Sequence, residues 1–150
     1  MNKRRLMRTI FLIVMFTIAL GCSNETKENE KNNISEVEKM DDVTVIINDK
    51  KYLLNLENNE TAREFILTLP KSFTMNELNG NEKYVYLNET FSINASNPET
   101  IHKGDVMLYG NNCLVIFYKT FTTSYSYTKI GHIDNLEDLG DVDIKVKLEK

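Results

Sequence analysis

From residue 43 onward the apolar positions fall into short runs separated by turn residues, a spacing that predicts many short strands and little helix. Val43, Val45 and Ile47 alternate with Thr44, which marks a strand. Asn48, Asp49, Lys50 and Lys51 supply a turn, and Tyr52, Leu54 and Leu56 form the returning strand. Ala62, Phe65, Ile66 and Leu69 then recur at helical spacing. Thr61 is the predicted cap, with Glu64 three residues on completing a capping box, and Pro70 prevents continuation. Such a helix lies on the sheet or plugs a barrel end. Residues 73–78 and 84–87 read as strands around the turn at Asn79, Gly80 and Asn81. A long polar connection, 90–103, follows.

The stretch from Gly104 to Asp134 organises the rest. Two apolar runs, 106–109 and 113–118, flank Gly110, Asn111 and Asn112, which fits a short β-hairpin. Both runs are apolar at odd and even positions, so both faces require cover. That suits a central strand pair of a closed barrel or a helix-backed sheet. The polar segment 119–126 leads into another strand, 127–133. Asp134 caps an expected one-turn helix through Leu136 and Leu139, ended by Gly140. Val142, Ile144, Val146 and Leu148 face inward from a last strand. The fold expected is mainly β: a closed β-barrel with one clear helix and one short helix, with a β-sandwich as the alternative.

The N-terminal pattern differs. Lys3, Arg4, Arg5 and Arg8 precede an apolar run from Ile10 to Leu20, and Gly21 and Cys22 follow. A basic start, a short apolar core and a small residue before a cut site read as a secretory signal peptide over residues 1–21. The run is too short for a membrane span, which takes roughly 20 apolar residues. Gly21 before Cys22 resembles the lipobox of bacterial lipoproteins, whose cysteine is lipidated and becomes the new N-terminus. Ala19 and Leu20 stand in the reverse of the usual order. Residues 22–41 are polar, rich in Asn, Glu and Lys, and read as a flexible tether, leaving 42–150 as one domain. The expected location is extracytoplasmic, lipid-anchored at Cys22 to a bacterial membrane.

Charge narrows the partners. The chain has 18 basic and 22 acidic side chains; four basic and no acidic ones fall within the signal segment, so the mature charge is 14 minus 22, or −8. An acidic surface argues against nucleic acid, which rewards clustered Lys and Arg. It also leaves the lipid as the sole membrane attachment. Cys113, beside Leu114, Val115 and Ile116, reads as a buried small hydrophobe and not a nucleophile.

Three segments, NETAREFILTLP (59–70), NGNEKYVYL (79–87) and the run NASNPETIHKGDVMLYGNNCLVIFYKTFTTSYSYTKIGHID (94–134), look like the bacterial cyclophilin-like domain family. The resemblance covers nearly all of 42–148 and implies the cyclophilin-type β-barrel; the family's biochemical role is largely undefined. Cyclophilins themselves twist a prolyl amide with an arginine that donates to the prolyl nitrogen. A glutamine, phenylalanines and commonly a tryptophan and histidine complete that site. This chain has no Gln and no Trp, and its only arginine beyond the signal segment is Arg63, inside the predicted helix. Losing that constellation removes the preorganised electrostatics that catalysis needs, so no catalytic residue is assigned.

The expected role is a non-catalytic binding or accessory module, with a prolyl isomerase of altered site or a structural envelope protein as the alternatives. The segment 120–127 sets Phe121, Tyr125 and Tyr127 among Thr122, Thr123, Ser124 and Ser126. Rings beside hydroxyls suit an extended peptide or a sugar; alternatively the rings plug the barrel and the hydroxyls satisfy loop backbone. Arg63, Tyr84, Phe121, Tyr125 and Tyr127 are the candidate binding residues, for a peptide or small-molecule ligand. His102 and His132 have no partner at metal-ligand spacing. No cofactor or metal is implied.

Overall fold

The computed structural model describes residues 42–150; the expected signal peptide, the tether and Cys22 lie outside the described residues. Strands β1 (Val43–Ile47) and β2 (Lys50–Leu56) form the first hairpin. Its turn is tighter than the four residues expected. Lys50 and Lys51 already pair with Ile47 and Ile46, so only Asn48 and Asp49 remain, both at positive φ (46° and 68°). Two left-handed residues make the turn whose twist matches the strands, and Asn and Asp tolerate that conformation best after glycine.

Helix α1 (Glu60–Leu67) follows, and its cap is not the expected one. Asn59 is the N-cap: its Oδ1 accepts the Ala62 amide at 2.8 Å. Thr61 and Glu64 do not form a capping box. The Thr61 hydroxyl donates to the Ser92 carbonyl at 2.6 Å, and the Glu64 carboxylate accepts both the Ser92 amide and its hydroxyl at 2.7 Å. Both side chains therefore stitch the long polar connection onto the helix. Phe65 and Ile66 bury the apolar face in the barrel core, Phe65 edge-on to Phe91 at 6.0 Å.

Strands β3 (Lys71–Leu78), β4 (Glu82–Tyr86), β6 (Asp105–Tyr109), β7 (Cys113–Phe117), β9 (Thr128–Ile133) and β10 (Ile144–Glu149) complete an antiparallel closed barrel in the order β1-β10-β3-β4-β7-β6-β9-β2. The sandwich alternative is thereby set aside. The polar connections carry a further pair, β5 (Thr100–Ile101) and β8 (Phe121–Thr122), which hydrogen-bond to each other outside the barrel. The expected short helix after Asp134 is absent. Asn135 takes a positive φ of 55°, which breaks any helical start, and Leu136 buries from an irregular segment instead. Val142 lies ahead of β10 and is exposed, so the inward alternation starts at Ile144.

The two-faced hairpin β6–β7 has two cores to serve. Val106, Leu108, Leu114 and Ile116 point into the barrel with the inner faces of the other strands. Met107, Cys113, Val115 and Phe117 point outward into a second, smaller core with Ile101 and Tyr127. Phe121 of β8 packs on Phe117 at 5.7 Å, and Tyr127 is held by reciprocal backbone hydrogen bonds with Ser96 at 3.0 Å. The polar connections thus cover part of the outer face. The rest is open.

Candidate functional site

Period-2 alternation on β4 puts Lys83 and Val85 inside the barrel and Glu82, Tyr84 and Tyr86 on the outer face. Antiparallel register then sets Tyr84 opposite Val115, Tyr86 opposite Cys113, and Cys113 opposite Tyr109 on β6. Tyr125 and Tyr127 arrive from the connection after β8. Between these elements lies an open groove of about 330 Å³. Val115 and Cys113 form part of its lining, Glu82, Leu78 at the end of β3 and the turn residue Asn79 another part, and tyrosines the remainder. Of the chain's 7 tyrosines, Tyr84, Tyr86, Tyr109, Tyr125 and Tyr127 line it; Tyr52 and Tyr118 do not.

The rings meet edge to face or at a tilt. Tyr109 meets Tyr125 at 6.2 Å and 89°, and Tyr127 at 5.6 Å and 53°. Tyr84 meets Tyr86 at 6.0 Å and 82°. Tyr127 also stands perpendicular to Phe117 at 5.4 Å, which fixes it as a wall of the groove. Edge-to-face contact orients rings without closing their outer faces to a ligand. Tyr86, Tyr125 and Tyr109 form an exposed rim at 66%, 61% and 46%.

Glu82 supplies the charge of the site. Burial pushes its carboxyl above the ordinary value, and the nearby Glu77 adds to the rise. Burial also raises the Tyr127 phenol to about 12, with the Glu82 charge second, and raises the Cys113 thiol for the same two reasons in the same order. The thiol therefore stays protonated, in keeping with a packing role. Inside the barrel, the buried Lys83 ammonium donates to the Gly140 carbonyl at 2.5 Å and lies 4.6 Å from the centre of the Tyr118 ring. Burial lowers its pKa, opposed by the acids Glu77, Asp141, Asp143 and Asp138. This lysine is a structural feature of the barrel interior, on the opposite face of β4 from the groove.

A model of the cyclophilin-like family matches residues 45–149, nearly the whole of the described barrel. The chain belongs to the cyclophilin-like family. No curated protein and no solved structure matches it. Within this cyclophilin-like barrel, Tyr84, Tyr125 and Tyr127 come together as groove residues. Arg63 and Phe121 lie elsewhere. Arg63 is exposed on α1, where its guanidinium donates to the Asn58 side-chain carbonyl. Phe121 is turned onto Phe117 by the β5–β8 pairing and belongs to the second core. The hydroxyls around it serve backbone: Thr120 Oγ1 accepts the Lys103 amide and Thr123 Oγ1 the Tyr125 amide, at 3.0 and 3.1 Å.

Glu82, Tyr86 and Tyr109 were missed by the sequence reading. The signal available was the alternation in EKYVY, which places Glu82 and Tyr86 on the face of Tyr84. His132 and His102 lie outside the groove lining. His132 Nδ1 lies 3.1 Å from the buried Asp105 carboxylate, whose other oxygen accepts the His102 amide at 2.8 Å. Among the described residues no group of three His, Cys, Asp or Glu side chains could hold a metal ion.

Proposed function

We propose that this cyclophilin-like domain is a non-catalytic binding module, carried outside the cytoplasm on a lipid anchor at Cys22, that takes its ligand into the tyrosine groove. The observation that carries the binding role is the convergence of five tyrosines on one open groove of about 330 Å³ on the outer face of the barrel. A volume near the lower end of ligand-site sizes fits one small molecule or a few residues of a peptide. The non-catalytic reading is supported by the position of Arg63, the one arginine among the described residues, on an exposed helix face and outside the groove lining. The anchor is supported by the basic and apolar start, by Gly21 before Cys22, and by the polar segment that follows.

The groove is tested on peptide and glycan arrays with the protein and its Tyr125→Ala variant. Binding that is lost in Tyr125→Ala is the expected outcome; binding that survives it unchanged overturns the assignment of the groove. On the same samples, a prolyl tetrapeptide should relax at its uncatalysed rate, over roughly tens to hundreds of seconds. Acceleration that disappears in Arg63→Ala would replace the binding module with an isomerase. For the anchor, labelling with a palmitate analogue should vanish in Cys22→Ala, and persistent labelling would end the lipoprotein reading.

A further inference from the structure

The groove holds one acidic side chain among its tyrosines, Glu82, and among the described residues its carboxylate has no hydrogen-bond or ion-pair partner. Two carboxylates flank the turn at Asn79 and Gly80. Glu77 is occupied: its Oε1 accepts the Gly80 amide at 2.6 Å and the Tyr118 hydroxyl at 3.1 Å. Glu82 accepts no hydrogen bond and joins no ion pair at its carboxylate among the described residues, although it is half-buried. A half-buried carboxylate costs free energy unless something compensates its charge. Burial and Glu77 both disfavour its ionised form, and no Lys, Arg or His among the described residues pairs with it.

Tyr84, two residues along the same face of β4, and Tyr127, whose phenol feels the Glu82 charge, share the groove with it, and Tyr86, Tyr109 and Tyr125 continue the lining. Their ring faces carry the negative end of the aromatic quadrupole and attract ammonium and guanidinium groups within about 6 Å. A carboxylate and several tyrosines facing one space are complementary to a single organic cation. The domain's overall balance points the same way. Residues 42–150 hold 11 Lys and Arg against 16 Asp and Glu, a net charge of 11 minus 16, or −5, which steers cations toward the protein and anions away.

The shape separates two sources of such a cation. The groove, at about 330 Å³, has room for one long side chain, but the exposed rim of Tyr86, Tyr109 and Tyr125 extends the apolar surface past it. A free amine would leave that rim bare, whereas a polypeptide would lay its flanking backbone on it. We infer that the groove receives a lysine side chain of an extended peptide, its ammonium group paired with Glu82 and enclosed by tyrosine rings.

This inference rests on the groove being the binding site, and its test separates the two. The chain has no tryptophan and five of its 7 tyrosines are in the groove, so intrinsic tyrosine fluorescence reads occupancy directly. Three probes are titrated: a pentapeptide of glycines with one central lysine, blocked at both ends; the same peptide with Nε-acetyl-lysine; and n-butylamine. The expected result is saturable binding of the lysine peptide, at least tenfold weaker binding of both the acetylated peptide and the amine, and loss of the lysine preference in Glu82→Gln. Melting of Glu82→Gln at or above the parent temperature shows that the variant is folded. Equal affinity for the lysine and acetyl-lysine peptides, or a lysine preference that survives Glu82→Gln, overturns the inference while leaving the groove as a peptide site. Butylamine binding as tightly as the peptide overturns the peptide source in favour of a free amine. Failure of the lysine peptide to bind overturns the inference outright, and the array result with Tyr125→Ala then decides the groove by itself.

Discussion

Tyr125 and Tyr127 sit two residues apart in the same connection and line the same groove, yet their replacement by alanine should destabilise the domain to very different degrees. Tyr127 is only 8% exposed and packs perpendicular to Phe117 and obliquely to Tyr109. A buried aromatic side chain covers roughly 150–250 Å², which at about 25 cal/mol per Å² corresponds to about 4–6 kcal/mol. Large-to-small aromatic replacements in cores cost about 3–5 kcal/mol, so the two routes agree near 4 kcal/mol. For a domain of this size each kcal/mol is about 4–6 °C of melting temperature, which predicts a fall of roughly 15–25 °C for Tyr127→Ala. Tyr127→Phe keeps both ring contacts and should lose about 1 kcal/mol or less. Tyr125 is 61% exposed, and its ring contact among the described residues is with Tyr109, edge to face, so Tyr125→Ala should cost about 0.5–1 kcal/mol, a few degrees. Thermal melts by circular dichroism, with ligand binding on the same samples, give both readings. If Tyr127→Ala melts within a few degrees of the parent, or Tyr125→Ala falls as far as Tyr127→Ala, the division of this loop into a buried wall and an open rim is wrong.

Gly131 lies where β9 approaches β2, and an added Cβ would stand 2.4 Å from the Asn55 carbonyl oxygen. Backbone cannot yield as a side-chain tip does, so Gly131→Ala should lower stability by about 2–3 kcal/mol, read as a lower urea midpoint; an unchanged midpoint would contradict that approach. Glu82 has a raised carboxyl pKa, so the folded state holds its proton to higher pH than the unfolded chain does, and stability from this group falls as pH rises above the ordinary value of 4.5. Glu82→Gln should therefore melt above the parent at pH 7 and lose that advantage below pH 4.5; a lower melting temperature at pH 7 would show that the charge is compensated in the fold. Asn59→Ala should cost about 1 kcal/mol and speed exchange of the Ala62 amide, because Asn59 is the cap. If Thr61→Ala speeds that amide and Asn59→Ala does not, the cap has been misplaced.

The barrel was legible because its hairpins carry their own signals. Gly110, Asn111 and Asn112 between two runs apolar at every position defined the central pair, and the double-sided apolarity required cover on both faces. What provides the outer cover was not legible: β5 and β8 have only two residues each and form by pairing with one another across a long connection. The helix cap went astray for a related reason. Thr61 and Glu64 have the spacing of a capping box, but Ser92, distant in sequence, competes for both and leaves the cap to Asn59. The pair Leu136 and Leu139 has helical spacing too, yet burying Leu136 needs no helix when Asn135 turns the chain. The groove was half legible. Aromatic content drew notice to Tyr84, Tyr125 and Tyr127, whereas adding Tyr109 and Tyr86 requires the register that sets both opposite Cys113. Glu82 looked like one acid among many until its lack of a partner could be seen.

The central claim is that ligand meets the outer face of β4, β7 and β6 and not the barrel interior. Its most direct test is a nuclear magnetic resonance titration of protein labelled at the tyrosine rings, using the blocked lysine pentapeptide. The 7 rings divide cleanly, since Tyr84, Tyr86, Tyr109, Tyr125 and Tyr127 line the groove while Tyr52 and Tyr118 pack with the barrel core. The account predicts saturable shifts for the five groove rings and unmoved signals from Tyr52 and Tyr118. Shifts centred on Tyr118 or Tyr52, with the groove rings unchanged, would contradict it.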